Sequence, residues 1–251
     1  MSKTLTLITV TYNSLHTLPA TVSSVLSQKL PNLEYIVIDG GSTDGTVEWL
    51  AENDEGISEW VSEKDQGIYD ALNKGLSLAT GEIVGFIHAD DLFANSGVLK
   101  EVVQLFEKEK ADLIYGDLEY ISDKEPIKVV RYWKSGLFSF SKLRKGWMPP
   151  HPTVYFKREL IDLYGGFDIS YSISSDYEWL LRVLKTELKV VYLPKVMVQM
   201  RLGGASNKNI KNMIRKSKED YRALKTHNMG SYFTLINKNL SKLEQFFKRK
   251  N

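Results

Sequence analysis

The chain has 251 residues, 43% of them hydrophobic and 25% charged, with a formal net charge of +2 and no cysteine. That length supports a sizeable core in one large domain or two small ones, and the missing cysteines exclude disulfides, thiolate metal sites, iron–sulfur clusters and cysteine nucleophiles. The four histidines are too scattered for a His-rich zinc site, no run nears the roughly 20 apolar residues that span a bilayer, and the start MSKTLTLITVTYNS lacks the shape of a signal peptide, so a cytoplasmic protein is expected.

In chain order, segments 5–10, 33–39, 57–63, 82–88 and 112–120 are short and rich in β-branched or aromatic residues, and are predicted as strands. Helices are predicted between them over 18–28, 46–51, 68–79 and 98–110. The first has Pro19 in its opening turn and Val22, Val25 and Leu26 at helical spacing. Alternation of apolar strands with helices predicts an α/β fold on a buried, mostly parallel central sheet. Ligands bind at the carboxyl ends of such strands, where this sequence places Thr11-Tyr12-Asn13, Asp39, Asp65 and His88-Ala89-Asp90-Asp91.

From about residue 121 the pattern changes. Residues 133–152 are aromatic, basic and proline-rich, the composition of a binding loop. Strands at 153–157, 189–193 and 196–200, a helix at 176–185 and C-terminal helices at 209–226 and 231–248 complete the prediction. The last carries Phe233, Ile236, Leu240, Leu243 and Phe247 along one face. Residues 207–251 hold twelve Lys and Arg against three Asp and Glu, leaving 21 against 28 elsewhere. A basic amphipathic tail on an acidic body suits an anionic membrane surface; it equally suits packing on the body or on a second subunit of a homodimer. The organisation expected is a half at 1–120, a second half of the same domain at 121–206, and the tail at 207–251.

Paired carboxylates at a sheet edge, Asp90 and Asp91, either hold a hard divalent cation, completed by water and phosphate oxygens, or shape a turn. Asp39-Gly-Gly-Ser-Thr-Asp-Gly-Thr is a polar turn whose glycines permit close backbone approach and whose Asp39 can accept hydrogen bonds from a base or ribose. It is neither a Walker loop nor GxGxxG. In SEKDQGIYDALNKG, Asp65 precedes a helix as a possible cap, and Asp70 and Lys74 are spaced to pair on its surface. Asp176 follows Ser174-Ser175 at a helix start, where capping is a sufficient explanation. His151 is held between Pro150 and Pro152.

Taken together these motifs resemble the inverting family 2 glycosyltransferases of GT-A fold, of the type that builds bacterial surface polysaccharide. Asn13 in TVTYN, Asp39 in IDGGSTDGT, Asp65, Asp90 in HADD, His151 in MPPHPTVYF, Gly165–Asp168 as GGFD, and Asp176 in SSDYEWLLR occur in the family's order across about residues 4–206. The resemblance implies a nucleotide-sugar pocket lined by Thr11, Tyr12 and Asn13, with Asp39 on the base or ribose and Asp65 toward the sugar end. It implies His88, Ala89 and Asp90 at the diphosphate, Mg²⁺ or Mn²⁺ on Asp90 with Asp91 beside it, and Asp176 as general base. His151 and Trp147 would line the acceptor side, for a glycan or lipid-linked acceptor, and Gly203–Ser206 would close over the donor. Trp133, Phe138 and Phe140 are candidates for stacking on sugars.

Two departures stand out. His88 replaces the first aspartate of DxD, and Gln199-Met200-Arg201-Leu202 lacks the QxxRW of processive synthases, which favours single-sugar transfer. Two rival classes are a sugar nucleotidyltransferase, which calls for a basic glycine-rich loop after the first strand, and a noncatalytic nucleotide-binding protein, which would not need both Asp90 and Asp176. Nucleic-acid binding would rest on the tail alone and is not expected.

Overall fold

A computed structural model describes residues 4–122, 127–202 and 210–241. Parallel strands β1 (Leu5–Thr11), β2 (Leu33–Asp39), β3 (Glu59–Ser62) and β4 (Ile83–Phe86) form one half of a nine-stranded sheet. The other half contains β5 (Asp91–Phe93), β6 (Leu113–Ile121), β8 (Tyr155–Lys157) and β9 (Val190–Arg201), in the overall order β3-β2-β1-β4-β8-β6-β9-β5. Strand β7 (Val129–Trp133) pairs with β6 alone. Strand β8 is antiparallel to both β4 and β6 and joins the halves. It approaches β4 at Gly85, where any Cβ would collide with the ring of Tyr155.

The pleat sends alternate residues to opposite faces. Leu5 and Leu7, with Tyr35 and Val37, face helices α1 (Leu18–Leu26) and α4 (Val98–Glu109). Ile8 and Val10, with Ile36 and Ile38, face α3 (Ile68–Leu78) and the second half of the chain. Helix α2 (Thr46–Glu52) follows β2. The sheet is therefore covered on both sides, as expected of near-continuous apolar strands.

The later segments differ from expectation in four ways, one being that strand β7 is unpredicted. The two strands predicted at 189–193 and 196–200 are one strand, β9, whose register against β6 slips across Pro194. Proline cannot donate to the ladder, so a bulge absorbs it. The loop 133–152 contains a short helix α5 (Phe140–Arg144), and a 3-10 turn at His151–Thr153 follows. Helix α6 (Glu159–Tyr164), unpredicted, precedes α7 (Ser175–Leu184).

The C-terminal residues form α8 (Ile210–Thr226) and α9 (Tyr232–Ser241). They pack on the body: Ala223, Leu224, Met229 and Leu235 share one core cluster with Tyr177, Leu180 and Leu181 of α7. The rest of the predicted last helix, with Leu243 and Phe247, lies outside the described residues. Among the described residues no helix is long and apolar enough to cross a membrane.

Candidate active site

The carboxyl ends of β1, β2 and β3 come into line: Thr11 pairs with Asp39, and Asp39 with Ser62. Asp39 is wholly buried. Its Oδ2 accepts from the Gly41 and Ser42 amides at 3.0 and 2.9 Å and from Ser62 Oγ at 2.7 Å, while Oδ1 accepts from Ser42 Oγ at 2.5 Å. Asp39 thus builds the loop that follows β2. Asn13, at φ 49°, locks this loop to the end of β1: its amide donates to Ser42 Oγ, and its Oδ1 accepts from the Thr43 amide. Between these anchors Tyr12 is 64% exposed, and Thr11 Oγ1 is buried with no hydrogen-bond partner among the described residues. A Cβ on Gly40 would fall 2.7 Å from Asp65 Oδ2 and 3.4 Å from the Tyr12 ring. The bare glycine is what lets Tyr12, the Asp39 loop and Asp65 meet.

Asp65 does not cap α3. The cap position is Gly67 and makes no side-chain cap bond. Asp65 instead accepts from Lys74 Nζ at 2.6 Å, and Lys74 also meets Glu63 at 2.9 Å and Asp70 at 3.6 Å. The expected Asp70–Lys74 pair is present but is the longest of the three. Asp70, in the first turn, accepts from the Gln66 amide just ahead of the helix at 3.0 Å. The same helix reaches the second half of the chain. Asn73 exchanges two hydrogen bonds with the backbone of Phe167 in GGFD, each 2.8 Å. Tyr69 Oη lies 2.7 Å from the Ile173 carbonyl and 3.1 Å from Asp176 Oδ1.

Past the end of β4 the chain turns tightly, the Asp91 amide donating to the His88 carbonyl at 3.0 Å. The His88 ring stacks 6.0 Å from that of His151, and His151 lies 5.2 Å from Phe86 and 5.7 Å from Phe167. Burial pushes His88 below the usual imidazole value, against the opposing pull of the Asp90 and Asp176 charges. Burial takes His151 down to about 4, Asp176 again opposing and His88 adding to the fall. Both imidazoles are therefore neutral at pH 7. His151 Nε2 is buried and has no hydrogen-bond partner among the described residues. Tyr69 is driven up by burial and by the charge of Asp176. Tyr69 and Asp176 thus meet, His88 and His151 stack, and the charges of Asp90 and Asp176 both reach His88, so residues far apart in sequence gather at the carboxyl edge of the sheet.

Asp91 departs from expectation. Grouped above with Asp90 as a metal ligand, it is wholly buried in β5, opposite Met200, and both its carboxylate oxygens are closed off. With both oxygens closed to solvent, Asp91 offers no open ligand beside Asp90. Burial raises the Asp91 carboxyl well above its usual range, and the Asp90 charge raises it further. Asp90 remains half-buried, and among the described residues its carboxylate has no hydrogen bond or ion pair. Ala89 between them is buried. No cluster of three His, Cys, Asp or Glu side chains suited to a metal occurs among the described residues. One open carboxylate fits a cation that takes its remaining ligands from water and phosphate.

Trp147 is half-buried. Its indole donates to the Ser135 carbonyl at 2.9 Å, and its ring packs against Tyr115 and Phe138. The predicted Ser174 or Ser175 cap of α7 is not made: Ser175 Oγ donates to the Asp168 carbonyl. Instead Glu219, from α8, accepts from three successive amides, Ser172 at 3.1 Å, Ile173 at 2.8 Å and Ser174 at 3.0 Å. Arg222, one turn on, stacks 4.3 Å from the Tyr171 ring and donates to Ser170 Oγ. Sequence reasoning missed both residues, since each lies in the segment read as a tail. It also missed buried Asp117, which accepts from the Ser135 amide and from the hydroxyls of Tyr132 and Tyr192 and so anchors the aromatic loop. Gly203–Ser206 lie outside the described residues.

Sheet order and edge are those of a GT-A glycosyltransferase. Structures of Staphylococcus aureus TarS 1-349 in complex with UDP-GlcNAc superpose with a TM-score of 0.70 at 16% identity, covering 89% of this chain and 65% of that one. The mannosyltransferase PcManGT of Pyrobaculum calidifontis, in complex with GDP-Man and Mn²⁺, gives 0.64 at 19% identity over 100% of this chain and 77% of its own. Among curated relatives, an uncharacterized glycosyltransferase of Mycobacterium tuberculosis is 32% identical over 195 residues, covering 71% of this chain and 68% of its own. A PGL/p-HBAD biosynthesis glycosyltransferase of Mycobacterium bovis is 28% identical over 203 residues, with 78% and 77% covered. The family model described as glycosyl transferase family 2 matches residues 6–162, and the chain belongs to that family.

Proposed function

We propose that the chain transfers one sugar from a nucleotide-sugar donor to a hydroxyl of a glycan or lipid-linked acceptor in cell-surface polysaccharide synthesis, with inversion at the anomeric carbon. The observation that carries this reading is the convergence of Asp176 with Tyr69, His88 and His151 beside Asp90. It supplies a proton acceptor and an electrophile-binding carboxylate at one edge of the sheet.

The donor's nucleotide would lie along Thr11, Tyr12 and Asn13, with the loop built by Asp39 against the base or ribose and Tyr12 free to stack. Asp65, held in place by Lys74, faces the same pocket and would meet the nucleotide–sugar end. Asp90, with His88 and Ala89 beside it, would hold a divalent cation, whose charge offsets the one that builds on a departing diphosphate. Asp176 takes the proton from the acceptor hydroxyl as its oxygen attacks the anomeric carbon. Tyr69, held neutral, steadies the Asp176 carboxylate through its hydroxyl. Neutral His151 presents its unpartnered Nε2 as a hydrogen-bonding group on the acceptor side. Trp147, packed on Tyr115 and Phe138, holds the shape of that side. One in-line displacement accounts for inversion. UDP is the favoured nucleotide, since TarS, the neighbour of highest TM-score quoted above, was solved with UDP-GlcNAc; the mannosyltransferase neighbour, solved with GDP-Man, makes GDP the alternative.

Calorimetric titration with UDP, dTDP and GDP, each with and without Mn²⁺, tests the donor half of the proposal. Metal-dependent binding of one nucleotide is expected. Absence of binding to all three by folded protein would overturn it.

A further inference from the structure

Helix α9 carries its apolar stripe on the outside. Tyr232, Phe233, Ile236 and Leu240 are 63, 76, 39 and 55% exposed, and at 3.6 residues per turn they fall within a stripe roughly 100° wide. The opposite face, Thr234, Leu235 and Lys238, is buried against the body. An ion pair sets this orientation. Lys238 Nζ lies 2.8 Å from Asp220 of α8 and 3.0 Å from the centroid of the Tyr177 ring, with the Lys238 and Asp220 side chains 2% and 1% exposed. Turning α9 to bury its phenyl ring would separate two buried charges, which is strongly destabilising.

The neighbouring helix α8 is basic on its exposed residues. Lys211, Arg215, Lys218 and Lys225 are exposed on α8. Arg144 and Lys225 line a cleft of about 370 Å³ with Gly230 and Ser231, at the end of α9 where Tyr232 and Phe233 begin the stripe. No acidic residue lines that cleft. Residues 210–241 hold seven Lys and Arg and two acids; Asp220 is paired with Lys238, and Glu219 is taken up by the backbone amides of 172–174.

We propose that α9 and its basic flank form a docking surface for an anionic lipid bilayer, the four apolar side chains entering the interface and the cations meeting the headgroups. An amphipathic helix with cationic flanks binds a membrane surface by these two contributions together. The inference rests on the acceptor-side reading above. Helix α9 seats directly on Gly146, where a Cβ would lie 2.8 Å from Lys238 Cβ and from the Thr234 carbonyl, and the next residue is Trp147. Docking through α9 would therefore hold the acceptor side about one helix diameter, roughly 10 Å, behind the lipid surface. A second copy of the chain is the poorer occupant. Two-fold pairing sets identical patches against each other, so the cations of α8 would oppose cations, and four side chains on one ten-residue helix fall short of the area a stable dimer buries.

The test is flotation of the full chain with vesicles of equal parts phosphatidylglycerol and phosphatidylcholine, and with phosphatidylcholine alone, beside the double variant Phe233→Glu/Ile236→Glu. Neither residue belongs to the proposed site, and both are exposed, so fold and nucleotide binding should be unchanged. Wild type is expected to float with the anionic vesicles only, and less so as salt rises; the variant's bound fraction should fall about tenfold or more. Wild type that stays unbound, or a variant that floats equally well, would overturn the proposal. So would a wild-type dimer in solution that the double variant converts to monomer, since the stripe would then be a subunit interface. Nucleotide calorimetry on the same samples separates this outcome from failure of the donor site.

Discussion

Replacing Glu219 with alanine removes a carboxylate that accepts from three consecutive amides immediately ahead of α7, the helix that carries Asp176. Ser172 is exposed and its amide regains water. Ile173 is half-buried and Ser174 wholly buried, so those two are left with little or no replacement. A hydrogen bond to a charged group contributes about 1.5–3 kcal/mol, and with the exposed amide discounted the two that remain come to about 3–6 kcal/mol. Part of that appears as local loosening of the turn rather than as global unfolding, because Arg222 still holds Ser170. A displacement near 1 Å at a catalytic group costs about 10²-fold in rate. The expected result is a fall in kcat of roughly 10- to 100-fold with donor affinity within about twofold of wild type, since Glu219 touches no part of the proposed donor pocket. Glu219→Gln should be milder, its amide oxygen still accepting from Ile173 and Ser174. Steady-state kinetics beside nucleotide calorimetry is the assay. An alanine variant with wild-type kcat, or one that loses donor affinity in step with kcat, would refute the positioning role.

Three further expectations follow from the same geometry. Tyr69→Phe deletes the hydroxyl shared between the Ile173 carbonyl and Asp176 and should lower kcat by roughly 10-fold or more, since a hydrogen bond to a charged group is worth about 1.5–3 kcal/mol; an unchanged rate would remove Tyr69 from the site. Asp90→Ala should abolish the increment in nucleotide affinity that Mn²⁺ confers while leaving metal-free binding intact, and calorimetry that finds the increment preserved would exclude Asp90 as a ligand. Glu34 is opposed by burial, but hydrogen bonds from Thr6, Thr80 and the Gly81 amide outweigh it and hold its carboxyl below the usual value of 4.5. Its folded pKa being depressed, it stabilises the fold above that value, and the contribution is lost as pH falls below it. Glu34→Gln should therefore lower Tm at pH 7 and flatten the acid limb of Tm against pH; an acid limb parallel to wild type would contradict the assignment.

The first half of the chain was the more legible. Strands buried on both faces announce themselves as apolar runs, and topology then delivers Thr11, Asp39 and Ser62 to one edge whatever their individual roles. The turn at His88–Asp91 was visible as an acidic pair, but its partition was not. That Asp90 faces the site and Asp91 the interior depends on β5 being a strand, and three residues leave too little pattern to read. Asp65 and Ser174 were read as caps because local rules favour such residues before helices. Tertiary partners won in both places: Lys74 claims Asp65, and Glu219 satisfies the amides ahead of α7. Helix α9 shows the sharpest divergence. Its apolar periodicity holds over Phe233, Ile236 and Leu240, but the pattern was silent on which face packs, and the face that packs carries the buried Lys238–Asp220 pair.

The central claim is that Asp176 is the base of a sugar transfer whose donor is held elsewhere, along Thr11–Asn13, Asp39, Asp65 and Asp90. The measurement that meets it most directly is Asp176→Asn, assayed for transfer and for nucleotide affinity on the same preparation. The substitution keeps size and hydrogen bonding but removes the proton acceptor, so transfer should fall by about 10²–10⁴-fold while the nucleotide dissociation constant stays unchanged. Transfer at the wild-type rate, or loss of nucleotide binding in step with activity, would contradict the account.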